Sequence, residues 1–205
     1  MANKQINELS ELTSPETGDL LPIYDVDEAG SEKTKKIIVE RFQWTYTPQT
    51  ATTAGATVEL TTVIPPWATE IEVIFKGVST NTSNQPPIIQ LGDSGGYETS
   101  GYDASANHMS TGSVAGSFGY TDGFYAMRIP SQSAADIFDM VFRLTRWDPD
   151  EHYWDCVGDG NLAGASSRLF AYGKKTLSAA LTSIRLTTPG GSATFDAGEA
   201  RVRYR

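Results

Sequence analysis

The pentapeptide Gly92-Asp93-Ser94-Gly95-Gly96 carries the residue types that surround the nucleophile of chymotrypsin-like serine proteases, and it also satisfies the looser G-x-S-x-G elbow. A protease of that kind needs its histidine base and its aspartate before the serine, whereas His108 and His152 both follow Ser94. The elbow order of serine, acid and histidine is available as Ser94, Asp136 and His152. It requires a strand-to-helix turn in an α/β sheet, and the surrounding sequence offers none. A glycine-rich turn after a strand ending at Leu91 accounts for the motif, and no catalytic residue is assigned.

A second cluster, Asp148-Pro149-Asp150-Glu151-His152-Tyr153-Trp154-Asp155, sets four carboxylates and an imidazole within eight positions. An EF-hand calcium loop wants acidic or amide ligands at positions one, three and five and then glycine, but here His152 takes the fifth place and Tyr153 the sixth. His152 and Cys156 have helical spacing for zinc, without a third and fourth ligand nearby. The stretch reads as a solvated acidic turn, with a divalent cation site as its alternative. No cofactor is expected.

The third group is aromatic. Tyr97, Tyr102, Tyr120, Phe124, Tyr125, Trp147, Tyr153 and Trp154 sit in or beside predicted loops, and Asp93, Glu98, Asp103 and Asn107 share the first of these loops. Tyr and Trp offer rigid faces with a polar tip, suited to sugar rings and to protein interfaces, and carboxylates accept bonds from sugar hydroxyls. Asp93, Tyr97, Glu98, Tyr102, Asp103, Tyr120, Tyr125 and Trp154 are therefore the candidate ligand-binding residues. For each of them, packing in the core or at its rim is the competing role.

Composition limits what these groups can serve. The 205 residues carry 16 basic and 25 acidic side chains, a net charge of −9, so a nucleic-acid backbone would meet a field of its own sign. Hydrophobic residues make up 39%, and no apolar run approaches the ~18 residues of a membrane helix, so no membrane insertion is expected. One cysteine, Cys156, excludes an intramolecular disulfide. Two histidines are few for acid–base catalysis near neutral pH, and the chain is read as a non-enzyme. The N-terminus lacks a secretory core, which places synthesis in a cytoplasm.

The elements that must position these residues fall into two parts. Residues 1–43 hold five basic and nine acidic side chains, denser in charge than the rest. Ile6, Leu9 and Leu12 recur at spacing three and predict a brief amphipathic helix that Pro15 and Gly18 stop. Leu20–Val26, with Leu20, Leu21, Ile23 and Tyr24, and Thr34–Val39 predict two strands joined by a turn. Lys33, Lys35 and Lys36 read as a solvated strand face. Such a unit buries little alone and needs a neighbour.

Residues 44–57 are small and polar, a linker or an opening edge segment. From residue 58 to 205, eight β-rich runs alternate with turn clusters: Val58–Ile64, Ile71–Val78, Pro87–Leu91, Gly123–Arg128, Phe138–Arg146, Ser167–Tyr172, Leu181–Thr188 and Ala200–Tyr204. With no repeated strand–helix unit, they predict a mainly β head, an antiparallel β-sandwich of jelly-roll type. Gly92–Gly119 is expected to be a long and largely irregular loop, the sort of segment where binding sits.

Two stretches resemble proteins of tailed bacteriophages. Lys4-Gln5-Ile6-Asn7-Glu8-Leu9-Ser10-Glu11-Leu12-Thr13, then Gly18–Val26 and Thr34-Lys35-Lys36-Ile37, is similar to the N-terminal module of phage tail fibres, tailspikes and head fibres. Ile64-Pro65-Pro66, Ile74–Ser79 and Gln90–Tyr102, closed by Leu186–Gly191 and Thr194–Gly198, are similar to the C-terminal β domain of phage fibre proteins. The resemblance implies an exposed virion component, usually homotrimeric, docked on other tail or capsid proteins through its N-terminus. Ile6, Leu9, Leu12, Leu20, Leu21, Ile23 and Tyr24 are then the virion-attachment residues. With no long stalk between the parts, it implies a short fibre or adhesin whose head binds host-surface glycan. The alternative is a capsid decoration or head-fibre protein that binds neighbouring capsid subunits.

Overall fold

The computed structural model describes residues 43–205 apart from Ala54 and Pro149, together with the backbone of 20–24 and 34–38. The chain divides into two compact units, one of residues 1–45 with Arg205 and one of residues 46–204. In the first, β1 (Leu20–Tyr24) and β2 (Thr34–Ile38) form an antiparallel hairpin, with Leu20 opposite Ile38 and Tyr24 opposite Thr34. This is the hairpin expected from the sequence. The expected helix carrying Ile6, Leu9 and Leu12 lies outside the described residues.

The second unit is an antiparallel β-sandwich. Its larger sheet has nine strands: β3 (Thr45–Tyr46), β4 (Thr50–Ala51), β6 (Glu70–Thr80), β9 (Tyr102–Ser110), β10 (Ser113–Tyr120), β12 (Phe138–Arg146), β13 (Tyr153–Leu162), β14 (Ser167–Thr176) and β16 (Phe195–Tyr204). Their order is β10-β9-β14-β13-β12-β6-β16, with β3 and β4 along the outer side of β16. The smaller sheet has β5 (Val58–Thr61), β7 (Ile88–Asp93), β8 (Gly96–Tyr97), β11 (Phe124–Tyr125) and β15 (Ser183–Thr187), ordered β11-β7-β15-β5 with β8 against β7. The chain passes repeatedly between the sheets, from β5 to β6 to β7 and from β14 to β15 to β16, so the two antiparallel sheets are joined into one β-sandwich.

Alternation explains the large sheet. In β12, Phe138, Met140, Phe142 and Leu144 point inward and are buried, while the residues between them face out. Val73 and Phe75 of β6 and Val202 of β16 join them, and Phe75 and Phe142 meet edge to face with ring centres 5.5 Å apart. From the small sheet, Ile89, Leu91, Phe124, Ile184 and Leu186 complete one apolar cluster. Each such fully buried side chain contributes on the order of 1.5–3 kcal/mol.

The β6–β16 pairing is interrupted by bulges, and Gly198 at one of them has φ +94°. A Cβ there would come within 2.4 Å of the Gly77 carbonyl oxygen, so the close approach requires glycine.

Three expectations change. Residues 92–119 are not a long irregular loop, because β8, β9 and β10 run through them. Their inward positions in β9 after Tyr102 are Ala104 and Ala106, too small to mark an alternating strand in sequence. The acidic turn is shorter than expected, since Tyr153, Trp154 and Asp155 open β13. The segment read as linker or edge is partly an edge: Thr47 N–H donates to the Val202 carbonyl at 2.8 Å, and buried Thr52 donates from its hydroxyl to the Ala197 carbonyl at 2.6 Å.

Candidate functional site

Half of the candidate binding residues are consumed by the fold. Asp93, at the end of β7, is buried and accepts four hydrogen bonds. These come from Gly95 N–H (2.8 Å), Ser178 N–H (3.1 Å), the Ser178 hydroxyl (2.7 Å) and Ala179 N–H (3.0 Å). The Ser178 hydroxyl and Gly95 N–H, against the opposing effect of burial, hold its carboxyl below the usual range. Asp93 thus ties the β7–β8 turn to the segment before β15. Ser94 beside it is exposed, and among the described residues no hydrogen bond joins it to Asp136 or to either histidine.

Tyr102 is a core residue. Its ring meets Phe124 edge on at 5.1 Å, and its hydroxyl accepts from Leu91 N–H at 2.8 Å and donates to the Glu98 carbonyl at 3.2 Å. Burial pushes its ionisation well above that of a free tyrosine. Tyr125 is buried too, with its hydroxyl donating to Asp122 at 2.9 Å and its ring stacked on Tyr120 at 3.8 Å. Trp154 is buried in the main core. Glu98 pairs with the buried ammonium of Lys175 at 3.0 Å. Asp93, Tyr102, Tyr125 and Trp154 therefore have no face free for a ligand.

Tyr97 and Asp103 reach the surface on different sheets. Tyr97 of β8 is half-buried, with the Arg185 guanidinium 4.4 Å above its ring and its hydroxyl 3.3 Å from Glu59; burial leads the causes that raise its ionisation. Tyr120 is half-buried, its hydroxyl accepting from Ile129 N–H at 2.7 Å. Asp103 faces outward from β9 and pairs with Lys174 at 3.3 Å.

Asp103 opens onto a groove of about 500 Å³ on the outer face of the large sheet, whose side walls include Phe118, Asp155, Val157, Tyr172 and Lys174. Strand register builds it as two rows. Phe118 lies opposite Ser105, Ser105 opposite Tyr172, and Tyr172 opposite Val157, a largely apolar row across four strands. Two residues along, Asp103 lies opposite Lys174 and Lys174 opposite Asp155, a charged row beside it. Side chains directly opposite on one face stand within contact reach. The Tyr153 hydroxyl donates to Asp155 at 3.0 Å, and a smaller hollow of about 320 Å³ continues past Asp155 to Trp147 and Glu151.

Tyr172, Val157, Phe118 and Lys174 are not residues that the sequence alone singles out for binding. Ser167–Tyr172 carries aliphatic or aromatic residues at both parities, Leu169 and Ala171 against Phe170 and Tyr172, which marks a strand with an apolar outward face. Among the described residues no group of three His, Cys, Asp or Glu side chains is placed to hold a metal ion, and no helix is long and apolar enough to cross a membrane. Compared with known proteins, the chain matches no family model, no curated sequence and no solved structure.

Proposed function

We propose that the protein is a structural component of a tailed-phage particle, a trimeric short fibre or adhesin that binds a host-surface glycan without catalysis. Its N-terminal module attaches to other virion proteins, and the β-sandwich faces the host. The virion assignment rests on the sequence resemblance of both parts. The binding assignment rests on one observation: an apolar row of Phe118, Tyr172 and Val157 lies beside the charged row Asp103, Lys174 and Asp155 in an open groove. Aromatic faces cover the C–H side of a pyranose while carboxylates and an ammonium bond its hydroxyls. Three such grooves on one trimer make weak single contacts sufficient, by raising the effective concentration of the second and third.

The second reading, a capsid decoration or head-fibre protein, is favoured by the exposed apolar residues Met109, Val114 and Phe118 on the β9–β10 hairpin, which suit contact with neighbouring subunits. Retention of the full-length protein on immobilised host polysaccharide separates the two. The adhesin reading expects retention that Tyr172→Ala weakens by roughly tenfold, the cost of about 1.4 kcal/mol of lost contact. No retention by the wild type, with antibody label spread over the phage head, overturns it and leaves the decoration reading.

A further inference from the structure

The two ends of the large sheet differ in how they are closed. At one end, β16 is flanked by β3 and β4 and bears Arg201 and Arg203, and the Arg203 guanidinium is held by Glu72 at 2.5 Å and by the Tyr46 hydroxyl at 2.8 Å. At the other end, among the described residues, β10 pairs with β9 alone. It is eight residues long, Ser-Val-Ala-Gly-Ser-Phe-Gly-Tyr, with no charged residue and no proline. The ends of the small sheet are shorter, four residues in β5 and two buried residues in β11. Proteins ordinarily guard a long edge strand with charge, proline or a cover, because its free N–H and C=O groups template another strand. Among the described residues β10 is the longest uncovered edge.

We infer that β10 docks a second copy of this chain, antiparallel across a two-fold axis at Gly116, so that Val114 of each copy faces Phe118 of the other. Three observations select a copy over another partner. First, the strand is self-complementary in this register. Pairing about Gly116 sets residue 114 opposite 118 and 115 opposite 117, and the period of two keeps Val114 and Phe118 on the same outer face. Those two side chains are 71% and 83% exposed, large apolar groups with no cover of their own.

Second, the axis falls on a residue with no side chain. The Asn107 side chain of the same chain lies over Gly116, and with no Cβ of its own Gly116 sets no side chain against its two-fold mate across the seam. Third, a chain of net charge −9 repels its copy over most of its surface, and residues 113–120 form a strip free of charge. The Gly119 bulge, at φ +84°, ends the regular stretch just beyond Phe118, which limits the new ladder to residues 114–118.

This contact does not rest on the glycan reading, although it shares Phe118 with the groove, and Val114, which does not line that groove, separates the two. It also differs from a three-fold arrangement, since a two-fold contact joins chains, or whole trimers, in pairs.

The register makes the test specific. Sedimentation velocity of the full-length protein is expected to show concentration-dependent pairing, of single chains or of trimers. Val114→Lys and Phe118→Glu each weaken that pairing by roughly tenfold or more, because an unpaired charge is buried at the edge. Combining both in one chain places a lysine opposite a glutamate twice per interface, and the double variant pairs more tightly than either single variant. Thermal melts of all three variants are expected to stay near the wild type, since both positions are exposed. Amide exchange of wild-type β10 supplies a measure that needs no variant: protection is expected to rise with protein concentration. Absence of pairing in the wild type, pairing that ignores both single substitutions, a double variant weaker than the singles, or concentration-independent exchange of β10 each overturns the proposal.

Discussion

Strand β9 turns two different surfaces to its surroundings. Inward, Tyr102, Ala104 and Ala106 are buried; outward, Asp103, Ser105 and Asn107 stay in contact with solvent. Its neighbour β14 repeats the division, with Leu169 and Ala171 inward and Phe170, Tyr172 and Lys174 outward. Tyr102 and Tyr172 show what the difference means. The first has its ring against Phe124 and its hydroxyl bonded to backbone on both sides, while the second is 47% exposed and lines the groove. Residue type does not separate a structural tyrosine from one that faces the groove. Strand parity does, because a step of one residue moves a side chain from the core to the outer face.

The largest effect is expected at Tyr102. Tyr102→Ala removes a buried ring and leaves Leu91 N–H without its acceptor, for a loss of about 3–5 kcal/mol in urea denaturation. Tyr172→Ala in the same assay is expected to cost under about 1 kcal/mol. Equal costs at the two positions would break the contrast between the faces.

Asp93 sharpens the contrast for charge. Its carboxyl is held low in the folded protein mainly by the Ser178 hydroxyl and Gly95 N–H, so the stability it contributes is fully present above the unfolded carboxylate value of about 3.9. That contribution is lost as pH falls through the lower folded value. Asp93→Asn is expected to cost about 1–3 kcal/mol at pH 7 and to shrink the difference from wild type as pH falls below about 4. Melting temperatures of both proteins across pH 2–7 measure it. Curves that stay parallel throughout would show that the charge of Asp93 contributes nothing.

Legibility in the sequence followed side-chain size. Phe138–Arg146 was readable to the residue because Phe138, Met140, Phe142 and Leu144 alternate as large apolar groups. The β1–β2 hairpin was readable from two apolar runs around a turn. β9 and β10 were hidden because alanine, serine and glycine carry little strand signal, and their pairing is imposed by neighbours rather than by local preference. The site was legible only in part. Asp103 and Asp155 stand out in the sequence by their charge, but the row that joins Phe118, Ser105, Tyr172 and Val157 depends on register among four strands. No spacing along the chain encodes that juxtaposition. Asp93, Tyr102 and Trp154 stand out by type, and only the fold shows that the Asp93 carboxylate, the Tyr102 hydroxyl and ring and the Trp154 ring are buried within it.

The smallest effect is expected at Asp103. Its carboxylate and the Lys174 ammonium are 73% and 53% exposed, so water and salt screen the 3.3 Å pair, and such pairs contribute between zero and about 1 kcal/mol. Asp103→Asn keeps the shape and removes the charge, and its stability is expected to fall within about 0.5 kcal/mol of wild type at 0.15 M salt. On the glycan-binding proposal, retention is expected to fall while stability hardly changes, because water would leave the occupied groove and the carboxylate would bond a hydroxyl in its place. Denaturation and retention measured on the same preparation decide the matter. A stability loss above about 1 kcal/mol with unchanged retention would make the outer row as structural as the inner one, and the division between the two faces of β9 would then be one of exposure without a difference in role.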